Sequence, residues 1–209
     1  LFKGSADTVI ENAKRAYQTA GVSANAYMEN VTSFSASLIS SLGGDTAKAA
    51  EVANTAMVDM SDNANKMGTN MQDIQNAYQG FAKQNYTMLD NLKLGYGGTK
   101  TEMQRLLADA QKLTGVKYDI NNLSDVYNAI HAIQENLGIA GTTSQEAATT
   151  LSGSFNSMKA AAQDFAGYLT LGMDITPAVQ NLVSTASTFL FGNLFPALGN
   201  IFTALPGAI

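Results

Sequence analysis

The chain has 209 residues, of which 14% are charged, and 12 basic against 17 acidic side chains give a net charge of −5. A protein that grips nucleic acid neutralises phosphates with lysine and arginine, so this balance disfavours sequence-specific nucleic-acid binding. The chain has no cysteine and one histidine, which excludes disulfides and thiolate metal sites and removes the usual partners of a zinc or triad histidine. The composition therefore favours a protein without a catalytic site, a metal or a cofactor.

Helical patterns dominate the sequence, which is long enough for one or two domains. Proline is confined to positions 177, 196 and 206, and alternating strand patterns are scarce, so we predict an all-α protein. It is either a helical bundle or a set of extended helices with heptad-like seams. We expect a helical domain over residues 1–173 and a hydrophobic segment over residues 174–209. The chain starts at Leu1 without a signal segment, and we interpret it as an excerpt of a longer polypeptide.

The first predicted helix spans roughly residues 6–20, and the second follows a stop at Gly21 and a cap at Ser23. Each has one apolar face at helical spacing. The first face holds Ile10, Ala13, Tyr17 and Ala20, and the second holds Tyr27, Val31, Phe34, Leu38 and Leu42. The pair Gly43 and Gly44 ends the second helix.

The third helix, capped by Asp45, has the most regular pattern in the sequence. Its apolar residues recur at steps of three and four, the period of a coiled-coil or bundle seam. The seam residues are Ala53, Met57, Met60, Ala64, Met67, Met71, Ile74, Tyr78 and Phe81, and two further steps reach Met88 and Leu92. Only Gly68 and Gly80 weaken a continuous helix. We favour an internal core for this seam, with a seam between chains as the alternative.

A glycine-rich turn, Gly95-Tyr96-Gly97-Gly98, precedes a helix that begins near Thr99 and ends at Gly115. Thr99 and Glu102 have the spacing of a capping box. The buried face is predicted to hold Met103, Leu106, Leu107, Ala110 and Leu113. A glycine-rich turn can cradle phosphate, but this one lacks a preceding strand and the Gly-Lys-Ser/Thr ending of a P-loop. We therefore favour a structural turn over a nucleotide site.

Two more helices are predicted before the uncharged end. One spans Ser124 to about Asn136 and stops at Gly138. Thr143 and Glu146 offer a second capping box for one long helix to about residue 169. The inward residues of the first are Leu123, Tyr127, Ile130, Ile133 and Leu137, and those of the second are Ala147, Leu151, Phe155, Met158, Ala162, Phe165 and Leu169.

No ionisable side chain follows Asp174. The apolar residues beyond it form two helical stripes, broken near Gly192. They are Val179, Leu182, Val183, Phe189 and Leu190, then Leu194, Phe195, Leu198, Ile201 and Phe202. A membrane-spanning helix needs about 20 mostly apolar residues, whereas polar residues interrupt these stripes and Pro196 bends the path. We favour packing against other copies of the chain, then a membrane-active segment, then an internal core.

The titratable residues form no catalytic arrangement in the sequence. His131 lies beside the apolar face of its helix, and neither Asp125 nor Glu135 completes a nucleophile arrangement with it. We interpret it as a helix-surface or core-edge residue. Four scattered acidic residues are interpreted as members of solvated faces, because spacing alone does not pair them for acid-base chemistry. They are Glu29, Asp59, Asp62 and Asp73.

The segment Asn85–Gly115, NYTMLDNLKLGYGGTKTEMQRLLADAQKLTG, resembles a block that recurs in tape measure proteins of long-tailed bacteriophages. The resemblance continues upstream over residues 27–35 and 59–68 and downstream over residues 129–159, and it covers roughly residues 9–170. Such extended similarity is more specific than a short motif. It implies a role in assembly and carries over no catalytic residues.

The resemblance implies a structural phage tail protein that lies in the tail tube, sets tail length during assembly and leaves ahead of DNA at infection. The implied partners are other copies of the chain, tail tube and tail tip proteins, and tail assembly chaperones. The implied location is the lumen of the tail tube in the virion. The alternative is a membrane-active helical protein that forms a channel for DNA through the host membrane. An enzyme is the least favoured option, although some tape measure polypeptides carry cell-wall hydrolase domains elsewhere.

Overall fold

The protein is all-α, which confirms the predicted fold class. The computed structural model describes the backbone of residues 1–204 and the side chains of residues 1–200, and this part of the chain contains no strand. The α-helices are α1 (Ala6–Thr19), α2 (Ala24–Ser41), α3 (Thr46–Met67), α4 (Met71–Phe81), α5 (Lys100–Thr114), α6 (Leu123–Asn136), α7 (Thr142–Thr149), α8 (Leu151–Thr170), α9 (Thr176–Ser187) and α10 (Phe195–Ala204). Two short 3-10 helices, Lys3–Ser5 and Leu89–Leu92, and a π-helical segment, Thr188–Leu194, complete the described elements.

Polar side chains begin several of these helices where the sequence predicts them. The side chains of Ser23, Asp45 and Thr99 each accept a hydrogen bond from the backbone N–H three residues later. Each bond satisfies one of the amide groups that a helix start leaves unpaired. The second half of the predicted capping box differs, because the Glu102 carboxylate accepts from the N–H of Gly97 at 3.1 Å and not from that of Thr99.

One continuous core joins α1 to α6. Its buried apolar residues run from Phe2 to Ile139, and we call residues 1–139 the bundle. Aromatic rings fill its centre: the ring of Tyr127 lies 5.4 Å from that of Phe34 and 5.0 Å from that of Tyr78. Burying such a side chain contributes roughly 1.5–3 kcal/mol, so this cluster is a main source of the bundle's stability.

The predicted seam lies inside the bundle, but not on one continuous helix. Ala53, Met57, Met60, Ile74, Tyr78 and Phe81 are buried, and Ala64, Met67 and Met71 are partly buried against them. α3 ends at Gly68, whose φ of +63° is left-handed, and α4 starts after the side-chain cap of Asn70. The seam was also predicted to extend to Met88 and Leu92. Leu92 is buried, in a 3-10 helix, but the prediction is wrong for Met88, which is exposed.

The predicted single helix from Thr143 to Leu169 is wrong, because the chain breaks at Thr150. This residue is extended, and its hydroxyl accepts from the N–H of Gly153 at 3.0 Å to start α8. A Cβ on Gly153 would overlap the carbonyl of Glu146, so glycine permits the close crossing of α7 and α8. We call residues 142–204, from α7 to α10, the arm.

Six apolar residues that were expected to be buried are exposed. They are Ile10, Leu113, Leu137, Leu151, Phe155 and Leu169. In α1 the buried face is rotated toward Val9, and Leu113 and Leu137 lie at helix ends beyond the reach of the core. In the arm, α8 buries small residues and turns its large ones outward. Ala147, Met158, Ala162 and Phe165 of the same prediction are partly buried.

Candidate functional site

The arm exposes most of the large apolar side chains found on the described surface. Of 17 such exposed residues, 11 lie between Leu151 and Leu198. They are Leu151, Phe155, Leu169, Leu171, Met173, Ile175, Val179, Val183, Phe191, Phe195 and Leu198. Single exposed apolar residues are ordinary, whereas a concentration of them in one part of the chain marks a contact surface. The arm is therefore the candidate functional site.

Small residues explain why the large ones face outward. The side chains that the arm buries are all small or polar: Ser154, Ser157, Ala160, Ala161, Ala178, Thr185 and Asn193. Small side chains let helix backbones approach closely, and α8 and α9 pack along each other through this face. The remaining positions of the two helices carry their apolar side chains on the outer side.

The second half of the arm forms one long apolar helix. The run Thr176–Asn200 spans 25 residues and, within the described residues, is the one helix long and apolar enough to cross a membrane by length and composition. In the core helix of a soluble protein such a stretch is mostly buried, whereas here 11% of the most apolar 18 residues of the helix are buried. Its outer surface is thus available for contact.

The π-helical segment has a specific polar support. The buried side chain of Asn193 donates through Nδ2 to the carbonyl of Thr188 at 3.0 Å and to that of Ala148 at 3.3 Å. The first bond occupies a carbonyl inside the widened turn, and the second joins the segment to the end of α7. A single asparagine therefore fixes both the irregular turn and the packing of the arm on itself.

The residues predicted for membrane contact or self-association are divided between the two sides of the arm. Val179, Val183, Phe195 and Leu198 are exposed. Leu182, Phe189, Leu190 and Leu194 are partly buried. The side chains of Ile201 and Phe202 lie outside the described residues. The predicted role of this set stays a prediction.

Asp62 joins the bundle to the arm, and its interpretation as a solvated residue is wrong. The side chain is buried; Oδ2 accepts from the N–H of Gly141 at 2.6 Å and Oδ1 from that of Thr143 at 2.7 Å. These amide groups begin α7, where unpaired N–H groups and the helix dipole favour a negative charge. The predicted capping box at Thr143 is also wrong, because α3 supplies this cap.

Asp164 makes the reciprocal contact from the arm to the bundle. Its Oδ1 accepts from the N–H of Ala24, the first residue of α2, at 2.8 Å. Burial raises the pKa of Asp164, and the bond from Ala24 opposes that rise. Sequence reasoning missed this residue, because a carboxylate in the middle of α8 gives no local sign that it caps a helix 140 residues away.

Asp59 is buried and pairs with His131, so the solvated interpretation of Asp59 is wrong as well. His131 Nδ1 lies 2.8 Å from Asp59 Oδ1, and His131 Nε2 lies 3.5 Å from Glu135 Oε1. The hydrogen bond with Asp59 raises the pKa of His131, whereas burial raises the pKa of Asp59. His131 is partly exposed at the edge of the core, as predicted. Glu29 and Asp73 are exposed, also as predicted.

The chemistry of this pair is structural. Nδ1 of His131 is hydrogen-bonded to Asp59 and Nε2 lies near the Glu135 carboxylate, so neither nitrogen faces a nucleophile that it could activate. In the part of the chain described by the structure, no group of three or more histidine, aspartate or glutamate side chains could hold a metal ion. The absence of enzyme activity and of a cofactor remains a prediction from composition.

These features define the class of the protein. It is an all-α protein in which a packed helical bundle carries an apolar helical arm. No family model, curated protein or solved structure matches the chain.

Proposed function

We propose that this chain is a section of a bacteriophage tail tape measure protein. In this role it lies in the tail tube, sets tail length during assembly and leaves the tube ahead of DNA. The observation that carries the proposal is the extended sequence resemblance centred on Asn85–Gly115. Its partners would be further copies of the chain, tail tube and tail tip proteins, and tail assembly chaperones.

The block that carries the resemblance contains the 3-10 helix Leu89–Leu92, a glycine-rich turn and α5, and local contacts hold the turn. Arg105 donates through Nη2 to the carbonyl of Gly95 at 2.7 Å and to Glu102 Oε2 at 2.6 Å, and its guanidinium lies 4.3 Å from the centre of the Tyr96 ring. The Glu102 carboxylate also accepts from the N–H of Gly97. Since a carboxylate already occupies the turn, a phosphate has no place there, and the block supports an assembly role better than nucleotide binding.

A helical chain suits a ruler because its length grows linearly with residue number, by about 1.5 Å per residue. If residues 1–139 formed one extended helix, they would span about 210 Å. In the proposed role, the turns between the bundle helices open and the helices lie end to end. Gly68 and Gly115 support this proposal, because each ends its helix in a left-handed conformation whose φ can change without a side-chain clash.

Changing the length of the gene segment tests this role. Deleting residues 1–139 in the full-length parent protein should shorten phage tails by about 210 Å, and duplicating them should lengthen tails equally, as measured by electron microscopy of virions. The control is Met57→Ala, which weakens the bundle core without altering chain length and should leave tail length unchanged. Tails of unchanged length after both deletion and duplication would assign this section another role.

A second candidate function is membrane activity, and the exposed apolar run Thr176–Asn200 specifically favours it. In this case the arm inserts into a bilayer and contributes to a channel for DNA. The purified chain should release a dye from lipid vesicles, and Val183→Asn with Phe195→Asn should reduce the release. The matched control is Leu113→Asn, which changes an equally exposed apolar residue of the bundle. Absence of dye release by the unaltered chain would exclude this candidate.

A further inference from the structure

The boundary between the bundle and the arm is loosely packed. Clefts of about 300, 250 and 170 Å³ lie along it, each partly open to solvent and lined by residues of both parts. Three residues that line the largest of these three clefts, Ser61, Thr69 and Thr143, have buried hydroxyls without a hydrogen-bond partner in the protein. Because the boundary is indented and leaves these groups unpaired, its packing is looser than that of the bundle core.

Little apolar contact crosses the boundary. The main core ends at Ile139 and takes no buried residue from the arm, as far as the structure describes it. The apolar cluster that does cross is small and consists of Tyr17 with Ala160, Ala161 and the partly buried Leu182. Because burial of apolar area is the main favourable term in docking, separating the two parts requires much less free energy than unfolding the bundle.

Apart from the bonds at the connection itself, the hydrogen bonds across the boundary are two helix caps, which water can replace. Asp62 of the bundle caps α7 of the arm, and Asp164 of the arm caps α2 of the bundle. We call these two residues the docking carboxylates. Neither has a lysine or arginine within salt-bridge distance among the described residues, so separating the two parts breaks no salt bridge of these carboxylates. The two caps fix the orientation of the arm while it is docked. When the arm separates, water takes the place of the backbone N–H groups around each carboxylate.

The arm is held together by its own contacts. Asn193 bonds to Ala148 of α7, and the ring of Phe155 in α8 lies 5.4 Å from that of Phe189 in the π-helical segment. The close crossing at Gly153 joins α7 to α8. These contacts lie within residues 142–204, so they persist when the arm leaves the bundle.

A short connection links the two parts. Ile139 is buried in the bundle core, α7 starts at Thr142, and the intervening Gly141 has a φ of +82°. The N–H and the hydroxyl of Thr142 donate to the carbonyl of Ile139 at 3.3 and 2.8 Å, so a change of direction here breaks these local bonds together with the bond from Gly141 to Asp62. The backbone of Gly141 itself adds little strain, because glycine adopts positive and negative φ about equally well.

We propose that the arm undocks from the bundle as one body, turning about Ala140 and Gly141, while the bundle stays folded. Undocking uncovers a second surface, which includes Tyr17 on α1 and the sides of Ala160 and Ala161 that pack against it. The docking carboxylates set how often this happens. The device does not depend on the proposed tail role, and its test contains no phage component.

Single cysteines test undocking, because the chain has none of its own. Ala161→Cys places a thiol at the boundary and Ala53→Cys places one in the bundle core, and both alanines are fully buried. A thiol reagent should modify the boundary cysteine at least about tenfold faster than the core cysteine, because local opening requires less free energy than global unfolding. Adding Asp164→Ala should accelerate the boundary reaction by about tenfold, the effect of one lost charged hydrogen bond. The core reaction should accelerate by at most the same factor, because the bond is lost in unfolding as well as in undocking, and it should stay the slower of the two.

Asp174→Ala is the matched control. Asp174 accepts from the N–H of Thr176 at 2.9 Å within the arm, so its loss removes a cap but no contact with the bundle. It should leave the boundary reaction unchanged, because this bond persists when the arm undocks. Equal reaction rates at the two cysteines, or a boundary reaction that Asp164→Ala does not accelerate, would overturn the proposal. Hydrogen exchange on the unaltered chain gives a second measurement: amides of α8 should exchange faster than those of α6, and indistinguishable exchange would also overturn it.

Discussion

Two glycines of α8 make a matched pair for testing the architecture of the arm. Replacing glycine by alanine inside a helix stabilises it by about 1 kcal/mol if the new methyl group has room. At Gly167 the nearest atom to a new Cβ, Nδ2 of Asn25, would lie 3.7 Å away, which is ordinary contact. At Gly153 the new Cβ would lie 2.8 Å from the amide nitrogen of Ala147 and would overlap the carbonyl of Glu146. Because these neighbours are backbone, we expect a penalty of about 3 kcal/mol, the upper part of the range for overpacking.

The expected results therefore have opposite signs. Gly167→Ala should stabilise the protein by about 1 kcal/mol, and Gly153→Ala should destabilise it by about 2 kcal/mol after the helix-propensity gain is included. Urea unfolding followed by far-ultraviolet circular dichroism measures both effects. With a slope of about 2 kcal/mol per M, the midpoints should move up by about 0.5 M and down by about 1 M. An upward shift for Gly153→Ala would refute the close crossing of α7 and α8.

Three further comparisons test the bundle by the same urea measurement. Met57→Ala should destabilise the protein by about 2–5 kcal/mol because the side chain is fully buried, whereas Met88→Ala should change it by less than about 0.5 kcal/mol, and equal effects would contradict the core assignment. Gly98→Ala should destabilise by about 1–3 kcal/mol because a Cβ there meets backbone, while Gly97→Ala, with its nearest contact at 3.5 Å, should not. Asp59 raises the pKa of His131, so the free energy of unfolding should fall as pH rises from about 6.5 through that raised pKa. His131→Gln should remove this fall. The same dependence of stability on pH in the variant would contradict the pairing.

Local patterns in the sequence predict the helices of the bundle well. Ser23, Asp45 and Thr99 act as caps because their side chains bond to amides only three residues away, an interaction that needs no tertiary partner. Gly115 ends its helix for an equally local reason, since its φ is positive. The all-α fold follows from the same short-range information.

The burial of polar residues could not be predicted in this way. Asp59, Asp62 and Asp164 look like solvated residues in their own helices, yet each is buried or partly buried against a partner far along the chain. Whether a carboxylate meets water, a histidine or a helix start depends on which helices become neighbours. Sequence spacing carries no information about that choice.

The amino-acid sequence by itself determined that this protein is helical, where most of its bundle helices begin, and that its last 35 residues carry no side-chain charge. Only the tertiary structure decided that the chain breaks at Thr150, that α8 turns Phe155 outward, and that residues 142–204 form an arm outside the main core. The physical reason is range: caps and helix periodicity act over three or four residues, whereas the choice of buried face depends on how closely two backbones can approach. In α8 the small residues allowed the closer approach, so the large apolar side chains remained on the surface.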